Sequence, residues 1–353
     1  MIWLDVTKTA DARHKSGLTR VTTKVRAALG EAANEHRWLP RQGWNVPASP
    51  DDWYLTAEVF APHERPGFGE FVRQRPVKLA AIFHDAIPLE LPHITWPKSV
   101  GRHPLYLSML AEFDRVLAVS NYSRERLLGF WKWQGRAVRA QVDVIPSGAD
   151  FLVPVAGGLS RGGARGPHAL HLGIAPGYSK RPLVLCVGIL EPRKNQTFLL
   201  KVAETLWAEG LDFDLTFVGR INPHFGRPIA RALRQSRARY LGAVSDEKLV
   251  QLYREATVCA LPTLAEGNGL PLLEALWCGT PCIASELPPL QENGGEGCLL
   301  APTGGETAWA IALRGVIARP DFAAQFRSQA ATRRATLPRW ADTARALQSF
   351  LSA

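Results

Sequence analysis

Short apolar runs alternate with amphipathic segments of helix length along most of the 353-residue chain. Compact runs of Val, Ile, Leu and aromatic residues predict buried strands, and apolar positions that recur every three or four residues predict helices. The predicted strands are Ile2–Val6, Trp53–Thr56, Lys78–Phe83, Arg115–Val119, Val142–Ile145, Leu183–Val187, Asp214–Val218, Ala238–Leu241, Val258–Leu261 and Pro281–Ala284. The predicted helices include Leu18–Leu29, Tyr122–Phe130, Gln196–Glu209, Asp246–Glu255 and Pro271–Cys278.

This alternation runs through the chain twice, which predicts an α/β fold of two doubly wound domains with parallel sheets. Between the two passes, Gly, Pro, Ser and Arg replace the apolar periodicity, as is typical of a linker. We therefore expect a Rossmann-like domain at 1–160, a linker or mobile loop at 161–181 and a second Rossmann-like domain at 182–337. Ligands bind beyond the carboxyl ends of strands in such sheets, so the site is expected in the cleft between the domains.

Composition narrows the class of protein. The chain is 46% apolar and 21% charged, as expected of a globular protein, and no apolar run reaches the roughly 18–20 residues that span a bilayer. The opening residues MIWLDVT predict a strand rather than a signal peptide. Five cysteines, an odd number, favour buried thiols over a disulfide framework, and the spacing of Cys278 and Cys282 is not a common zinc spacing. We expect a cytoplasmic protein.

The net charge of the chain indicates which classes of partner it attracts. Lys and Arg number 42 against 32 Asp and Glu, a net charge of +10, which attracts nucleic acid, anionic lipid or nucleotide-linked substrates. Zinc knuckles and aromatic ribonucleoprotein boxes are absent, so nucleic acid is not expected. The segment 124–141, RERLLGFWKWQGRAVRAQ, fits a contact with an anionic membrane and equally a partly buried helix with a charged outer face.

The strongest candidate for chemistry is the string EGNGLPLLE at 266–274, which follows a predicted buried strand. Pro271 suits the first turn of a helix and Gly279 suits its carboxyl-terminal cap. The amino terminus of this helix favours an anion such as a diphosphate, and the Glu274 carboxylate can accept hydrogen bonds from a ribose diol. A chance pair of surface glutamates is the alternative.

A second candidate is GILEPRKN at 188–195, where a predicted strand ends at a glycine turn. Arg193 and Lys194 stand directly before a helix. Two fixed cations at a helix amino terminus suit a leaving diphosphate, because that group gains negative charge as it departs. A solvated basic loop is the alternative.

These two strings resemble glycosyltransferase family 4, retaining enzymes with the GT-B arrangement of two Rossmann-like domains. EGNGLPLLE is similar to the family's Glu-x7-Glu signature, and GILEPRKN to its Gly-x-x-Glu-Pro-Arg-Lys-Asn motif. The resemblance implies that Glu266 contacts the donor sugar, Glu274 holds the ribose, and Arg193 and Lys194 stabilise the leaving diphosphate. Asn268 stands where the family commonly has Phe, beside the donor sugar.

Two segments of the first half have looser counterparts in the family. FHDAIP at 83–88 is similar to its His-Asp-x-x-Pro element, which implies that His84 faces the transferred sugar, although a core or loop histidine is the alternative. Asp85 either contacts ligand or braces the loop. SGLTRV resembles the loop after the first strand, with Gly17 and Arg20 near donor or acceptor. A plain helix start capped by Ser16 explains the same residues.

The resemblance thus implies two sets of site residues. Those expected to act in catalysis are His84, Glu266, Arg193 and Lys194. Those expected to bind the donor are Gly17, Gly188, Arg193, Lys194, Val244, Leu249, Glu266, Gly267, Asn268, Gly269, Leu270 and Glu274. An Asp-x-Asp pair at Asp212 and Asp214 binds a metal in the other large glycosyltransferase fold. Here the pair lies at the amino end of its strand, the wrong end of the sheet for a ligand, so neither a metal nor another cofactor is expected.

The resemblance also implies that a carboxyl-terminal helix, 338–353, returns to the first domain, and it implies a reaction. A retaining, metal-independent enzyme would move mannose or a deoxyhexose from a GDP-, UDP- or dTDP-linked donor to a glycan or lipid-linked acceptor. Its pathway would be surface polysaccharide or lipopolysaccharide synthesis, at the inner face of the plasma membrane. A nucleotide-sugar epimerase or phosphorylase of the same fold, and a non-catalytic glycan-binding homologue, are the alternatives.

Overall fold

The computed structural model describes residues 1–10, 17–47, 49–151 and 181–352. The strands of its first half are β1 (Ile2–Asp5), β2 (Ala33–His36), β3 (Trp53–Thr56), β4 (Lys78–Phe83), β5 (Arg115–Ala118) and β6 (Gln141–Val144). The helices of this half are α1 (Gly17–Leu29), α2 (Phe68–Gln74), α3 (Ile87–Glu90), α4 (Pro97–Leu110) and α5 (Asn121–Trp133). The six strands form one parallel sheet in the order β2-β1-β3-β4-β5-β6.

The second half repeats this plan. Its strands are β7 (Leu183–Val187), β8 (Asp214–Val218), β9 (Arg239–Tyr240), β10 (Val258–Leu261), β11 (Cys282–Ser285) and β12 (Cys298–Ala301). Its helices are α6 (Gln196–Ala208), α7 (Gly226–Gln235), α8 (Asp246–Glu255), α9 (Leu270–Trp277), α10 (Pro288–Gly294), α11 (Glu306–Ala318), α12 (Pro320–Thr336) and α13 (Trp340–Ser352). The parallel strand order is β12-β11-β10-β7-β8-β9.

The ten predicted strands are all present, each end within one residue of its predicted place. The predicted helices are present too, and α5 runs three residues past the predicted end at Phe130. Two strands were missed, β2 and β12. The sequence of β2, ANEH, has no apolar run because this strand lies at the sheet edge. The predicted linker at 161–181 lies, apart from Arg181, outside the described residues, so the domain boundaries stay predictions.

Alternating side chains of the central strands pack into two cores per sheet. In β4, Ile82 faces the core shared with α1, whereas Leu79 and Phe83 face the core shared with α4. In β7, Val184 and Leu185 divide in the same way. Helices therefore cover both faces of each sheet, which is why these strands are near-continuous apolar runs in the sequence.

A buried ionic group fixes the loop after β1. The Arg65 guanidinium lies 2.7 Å from Asp5 and 2.6 Å from Glu58. The second carboxylate oxygen of Glu58 accepts the backbone N–H groups of Lys8 and Thr9, at 2.6 and 3.0 Å. Burial and the neighbouring Asp5 charge raise the pKa of Glu58 to about 7. This group holds Thr9 at the carboxyl end of β1, facing the cleft.

The segment 124–141 forms most of α5 and the connection to β6. Trp131 is buried, and its indole N–H donates to the Leu107 carbonyl at 2.7 Å. Trp133 is 80% exposed. A partly buried helix thus accounts for Trp131, while Trp133 faces outward with the basic residues.

Within the described ranges, no helix combines the length and the apolar character needed to span a lipid bilayer.

The last helix, α13, packs on the first domain as predicted. Trp340, Ala344, Leu347 and Leu351 recur at helical spacing and enter the core between β1 and α1. The start of α13 is fixed because its Trp340 N–H donates to the Asp150 carboxylate at 2.6 Å. The chain therefore crosses back from the second domain and ties the two together.

Gly148 allows this return, because a Cβ there would lie 2.3 Å from the backbone nitrogen of Trp340. We expect Gly148→Ala to destabilise the fold by roughly 1–3 kcal/mol, since α13 must shift to relieve the overlap. Chemical denaturation measures this. The control is Gly129→Ala in α5, where a Cβ meets nothing within 4 Å and a neutral or stabilising effect is expected. Equal effects of the two substitutions would contradict the prediction.

Candidate functional site

The loops after β7 and β10, neighbours in the second sheet, are bonded to each other. The loop after β7 makes a 3-10 turn, Pro192–Lys194, before α6. In the loop after β10, the Leu264 N–H donates to the Arg193 carbonyl at 2.8 Å, and the Thr263 hydroxyl donates to the same oxygen at 3.2 Å. The carboxyl ends of adjacent parallel strands share one edge, so the fold joins two motifs that lie far apart in the sequence.

The Glu266 carboxylate is buried between two cations. Lys194 donates a hydrogen bond to Oε1, and Arg193 Nη1 lies 3.5 Å from Oε2. Arg193 is itself held by the carbonyl of Ala265 and the carboxylate of Glu191, both at 2.7 Å. Burial raises the pKa of Glu266, but the charges of Lys194 and Arg193 outweigh burial and leave the pKa below its ordinary value. The carboxylate is therefore ionised at neutral pH.

Glu274 lies in a different set of contacts. It is buried in α9, and its Oε1 accepts a hydrogen bond from Arg20 of α1, in the other domain. Its Oε2 accepts the Tyr253 hydroxyl at 3.1 Å, and Arg20 Nη2 also lies 3.2 Å from Asp246. Burial raises the pKa of Glu274, and the opposing effects of Arg20 and Tyr253 do not cancel that rise.

The contacts of Glu274 extend beyond the predicted site. Arg20 was expected near donor or acceptor, but its link to Glu274 was not predicted. Tyr253 was missed because it follows Leu249 at helical spacing, where the pattern indicates only a core position. Its hydroxyl is the part of the side chain that leaves the core and reaches the carboxylate.

His84, at the end of β4, is buried, and its Nε2 lies 2.8 Å from the Ala57 carbonyl. A carbonyl only accepts hydrogen bonds, so Nε2 carries the proton. Burial lowers the pKa of His84 despite the Ala57 bond and the Asp85 charge, so the imidazole is neutral at pH 7. The Asp85 carboxylate accepts the Ile87 N–H at 3.0 Å, and it therefore braces the start of α3.

The EGNGLPLLE loop docks on the first domain. A Cβ at Gly267 would lie 2.3 Å from the His84 carbonyl oxygen. The Gly267 carbonyl accepts the Ser120 hydroxyl at 2.6 Å and the Ser123 hydroxyl at 3.1 Å. Ser120 also caps α5, and Glu292 of α10 accepts the first N–H groups of that helix. The close approach that Gly267 allows is thus to the other domain's backbone.

Asn268 is buried beside Gly267. Its Oδ1 accepts the side-chain amide of Asn293 at 3.0 Å, and its backbone carbonyl accepts the same group at 2.6 Å. Its Nδ2 is buried and makes no hydrogen bond within the described residues. Gly269 follows with a φ of 83°, a conformation that favours glycine, and starts α9.

The remaining residues predicted to bind the donor lie in several different places. Gly17 is exposed at the start of α1, and a Cβ there would meet nothing within 4 Å. Ser16, the alternative cap, lies outside the described residues. A Cβ at Gly188 would lie 3.5 Å from the Lys194 stem. Val244 is partly buried, while the side chain of Leu249 lies in the core of the second domain.

Two cavities adjoin the two buried glutamates. The first has a volume of about 190 Å³, and its lining includes Thr9, Arg20, Lys24, Phe151, Asp246, Leu270 and Glu274. The second has a volume of about 310 Å³, and its lining includes Glu90, Tyr122, Arg126, Leu264, Ala265, Glu266 and Pro288. Both cavities have walls from both domains.

The Asp-x-Asp pair lies elsewhere, at the amino end of β8. Arg237 pairs with Asp212, and Arg181 lies 3.7 Å from Asp212 and 3.8 Å from Asp214. Within the ranges that the structure describes, His, Cys, Asp and Glu form no group of three able to hold a metal ion.

Comparisons with known proteins agree with this geometry. Residues 181–319 match the family described as glycosyl transferases group 1. The D-inositol 3-phosphate glycosyltransferase of Nocardia farcinica is 31% identical over 270 residues, 73% of this chain and 56% of that protein. The serotype-specific mannosyltransferase WbdA of Escherichia coli is 29% identical over 221 residues, 60% of this chain and 26% of that protein. The matched region thus spans about half of the first relative and a quarter of the second.

Solved structures share the whole architecture. Sucrose-phosphate synthase from Thermosynechococcus elongatus superposes with a TM-score of 0.72 at 19% identity, covering 99% of this chain and 98% of that one. HepE from Anabaena, solved with UDP and glucose, gives a TM-score of 0.67 at 15% identity, covering 100% and 99%. The fold is GT-B, and residues 181–319 form a domain of the glycosyl transferases group 1 family, in agreement with the resemblance to glycosyltransferase family 4.

The ion pair between Lys194 and Glu266 generates a prediction. Lys194→Met should destabilise the fold by about 3 kcal/mol, because it leaves a buried carboxylate short of a cation. The pKa of Glu266 should then rise above its unfolded value, so the variant's stability should fall as pH increases above that unfolded value. Wild type should show the opposite slope from this group, losing stability only as pH drops through the lowered pKa.

Denaturation of Lys194→Met, Glu266→Gln and the double variant from pH 4 to pH 8 measures both effects. The double variant should regain most of the stability that Lys194→Met loses. It should also lack the pH dependence that this substitution adds. Additive losses in the double variant would show that the two residues are not coupled.

Proposed function

We propose that this protein is a retaining glycosyltransferase that uses a nucleotide-diphosphate sugar without a metal. The observation that supports this most is the joining of two adjacent loops. One loop carries the Arg193–Lys194 cations, and the other carries Glu266, with Glu274 just beyond it. An epimerase, a phosphorylase or a non-catalytic homologue does not account for this combination as well.

In the proposed reaction, the donor diphosphate departs toward Arg193 and Lys194. These cations are already fixed by protein contacts, so little reorganisation opposes the charge that develops on the leaving group. Glu266 holds a sugar hydroxyl. The leaving phosphate takes the proton of the acceptor hydroxyl, which attacks from the same face.

The protonation state of His84 favours contact with a sugar hydroxyl over contact with a phosphate. A neutral ring whose Nε2–H is directed to Ala57 leaves Nδ1 as an acceptor. Such a nitrogen accepts a hydroxyl hydrogen bond and repels a phosphate oxygen. We therefore propose that His84 orients the donor sugar.

The proposed sugar is mannose or a deoxyhexose, carried by GDP, UDP or dTDP. Relatives named as mannosyltransferases support mannose, among them the O-antigen chain mannosyltransferase B of Escherichia coli, 28% identical over 74% of this chain and 64% of that protein. The Asn268 amide, whose Nδ2 lacks a partner within the described residues, offers a donor for one sugar hydroxyl.

The proposed acceptor is a glycan or a lipid-linked saccharide that enters through the cavity beside Glu266. The first-domain wall of this cavity includes Glu90 and Tyr122, whose hydroxyl donates a hydrogen bond of 2.9 Å to the Glu90 carboxylate. An aromatic face beside a carboxylate suits a sugar. Exposed Trp133 and the net charge of +10 support a peripheral position on the inner face of the plasma membrane, in surface polysaccharide or lipopolysaccharide synthesis.

Nucleoside diphosphates and their sugars should raise the melting temperature of the protein. A ligand at about 100 times its Kd stabilises the native state by about 2.7 kcal/mol. We expect a shift with at least one of UDP, GDP, dTDP or their hexose conjugates, measured by thermal unfolding. If the whole panel left the melting temperature unchanged, the donor site would be refuted.

Glu274→Ala and Arg193→Ala should each reduce donor affinity or turnover at least tenfold, equivalent to about 1.4 kcal/mol. Kinetics would be measured in excess EDTA, because the proposal includes no metal. The matched control is Lys201→Ala, which removes an exposed ion pair with Glu306 on the outside of α6. Wild-type rates in both site variants, or loss of wild-type activity in EDTA, would refute the corresponding part of the proposal.

A further inference from the structure

Arg20 reaches across the cleft and pairs with Glu274, the glutamate proposed to bind the ribose. It lies in the first turn of α1, in the first domain. Its guanidinium pairs with Glu274 of α9 and lies 3.2 Å from Asp246 of α8, both in the second domain. The ring of Phe151 stands 4.9 Å from the guanidinium carbon. The side chain is therefore held on several sides.

Glu274 has both oxygens engaged in this state. Arg20 donates to Oε1 and the Tyr253 hydroxyl donates to Oε2. A ribose diol needs the same carboxylate as an acceptor. Because Tyr253 belongs to the core of the second domain, the partner that can leave is Arg20, on the opposite side of the cleft.

The cavity at this point is also small. Its volume of about 190 Å³ is below the roughly 300–1,000 Å³ of pockets that hold drug-sized ligands. Arg20 is part of its wall, together with Lys24 and Glu274. Withdrawal of Arg20 from Glu274 would enlarge the cavity where a nucleoside has to enter.

We propose that Arg20 is an exchangeable partner of Glu274: the donor's ribose hydroxyls replace the guanidinium on the carboxylate, and the released guanidinium binds the donor's diphosphate. The proposal rests on the donor site proposed above. A buried carboxylate and a buried guanidinium each need a new partner when their pair separates. An intact nucleoside diphosphate supplies hydroxyls to one and an anion to the other.

This exchange couples recognition of the two halves of the ligand. A nucleoside alone must displace Arg20 and leaves the guanidinium without an anion. Removing the guanidinium should therefore weaken binding of a nucleoside diphosphate and leave binding of the nucleoside unchanged or stronger. A residue that merely shapes the pocket would weaken both.

The test compares wild type with Arg20→Met, which keeps an unbranched stem and removes the charge. Isothermal titration with UDP, GDP, uridine and guanosine measures the Kd values. We expect the Kd of the preferred nucleoside diphosphate to rise at least tenfold, and that of its nucleoside to stay the same or fall. The matched control is Arg26→Met, also on α1, whose partner Glu35 is on the surface; it should change neither Kd.

A second variant separates exchange from misfolding. Arg20→Met with Glu274→Gln removes both charges, so the buried carboxylate is no longer unpaired, and any gain in nucleoside affinity should disappear. Parallel weakening of nucleoside and nucleoside diphosphate in Arg20→Met, with wild type binding both, would overturn the exchange and leave the donor site standing. Failure of wild type to bind any nucleoside diphosphate would overturn both proposals.

Discussion

Two carboxylates are buried where the second sheet meets the cleft, and each stays buried only because a cation lies against it. Glu266 is paired by Lys194 and Arg193, from a loop of its own domain. Glu274 is paired by Arg20, from the other domain. An unpaired charge at either place would cost several kcal/mol. The relative position of the two domains is therefore tied to the electrostatics of the site.

The two glutamates have different electrostatic environments, because two cations lie beside Glu266 whereas Glu274 has one cation and the Asp246 carboxylate nearby. The pair beside Glu266 is fixed by contacts within one domain, and the pKa of this carboxyl is lowered. The carboxyl of Glu274 has a raised pKa, because burial and the nearby Asp246 charge outweigh the opposing effects of Arg20 and Tyr253. Other contacts reinforce this closure, including the Ser120 hydroxyl on the Gly267 carbonyl and the stacking of Trp96 on His224 at 4.4 Å.

Much of the fold and a part of the site were predictable. The strands of both central sheets are apolar runs because both their faces are buried, so β4, β7 and β10 were located from pattern alone. Edge strand β2 was missed because its exposed positions carry polar residues. The two loop motifs were located because each directly follows a strand, and parallel strands bring their carboxyl ends to one edge.

The sequence by itself determined the class of fold, the candidate residues and the chemical character of the site, since these depend on local periodicity and on which side chains follow each strand. Only the tertiary structure decided which cation pairs with which carboxylate. Lys194 and Glu266 are 72 residues apart and Arg20 and Glu274 are 254 apart. Such pairings depend on how the sheets are ordered and how the domains meet, which no local pattern encodes. The Glu-x7-Glu string therefore predicted two acidic residues near a donor, and only the folded chain assigned one to each domain's cations.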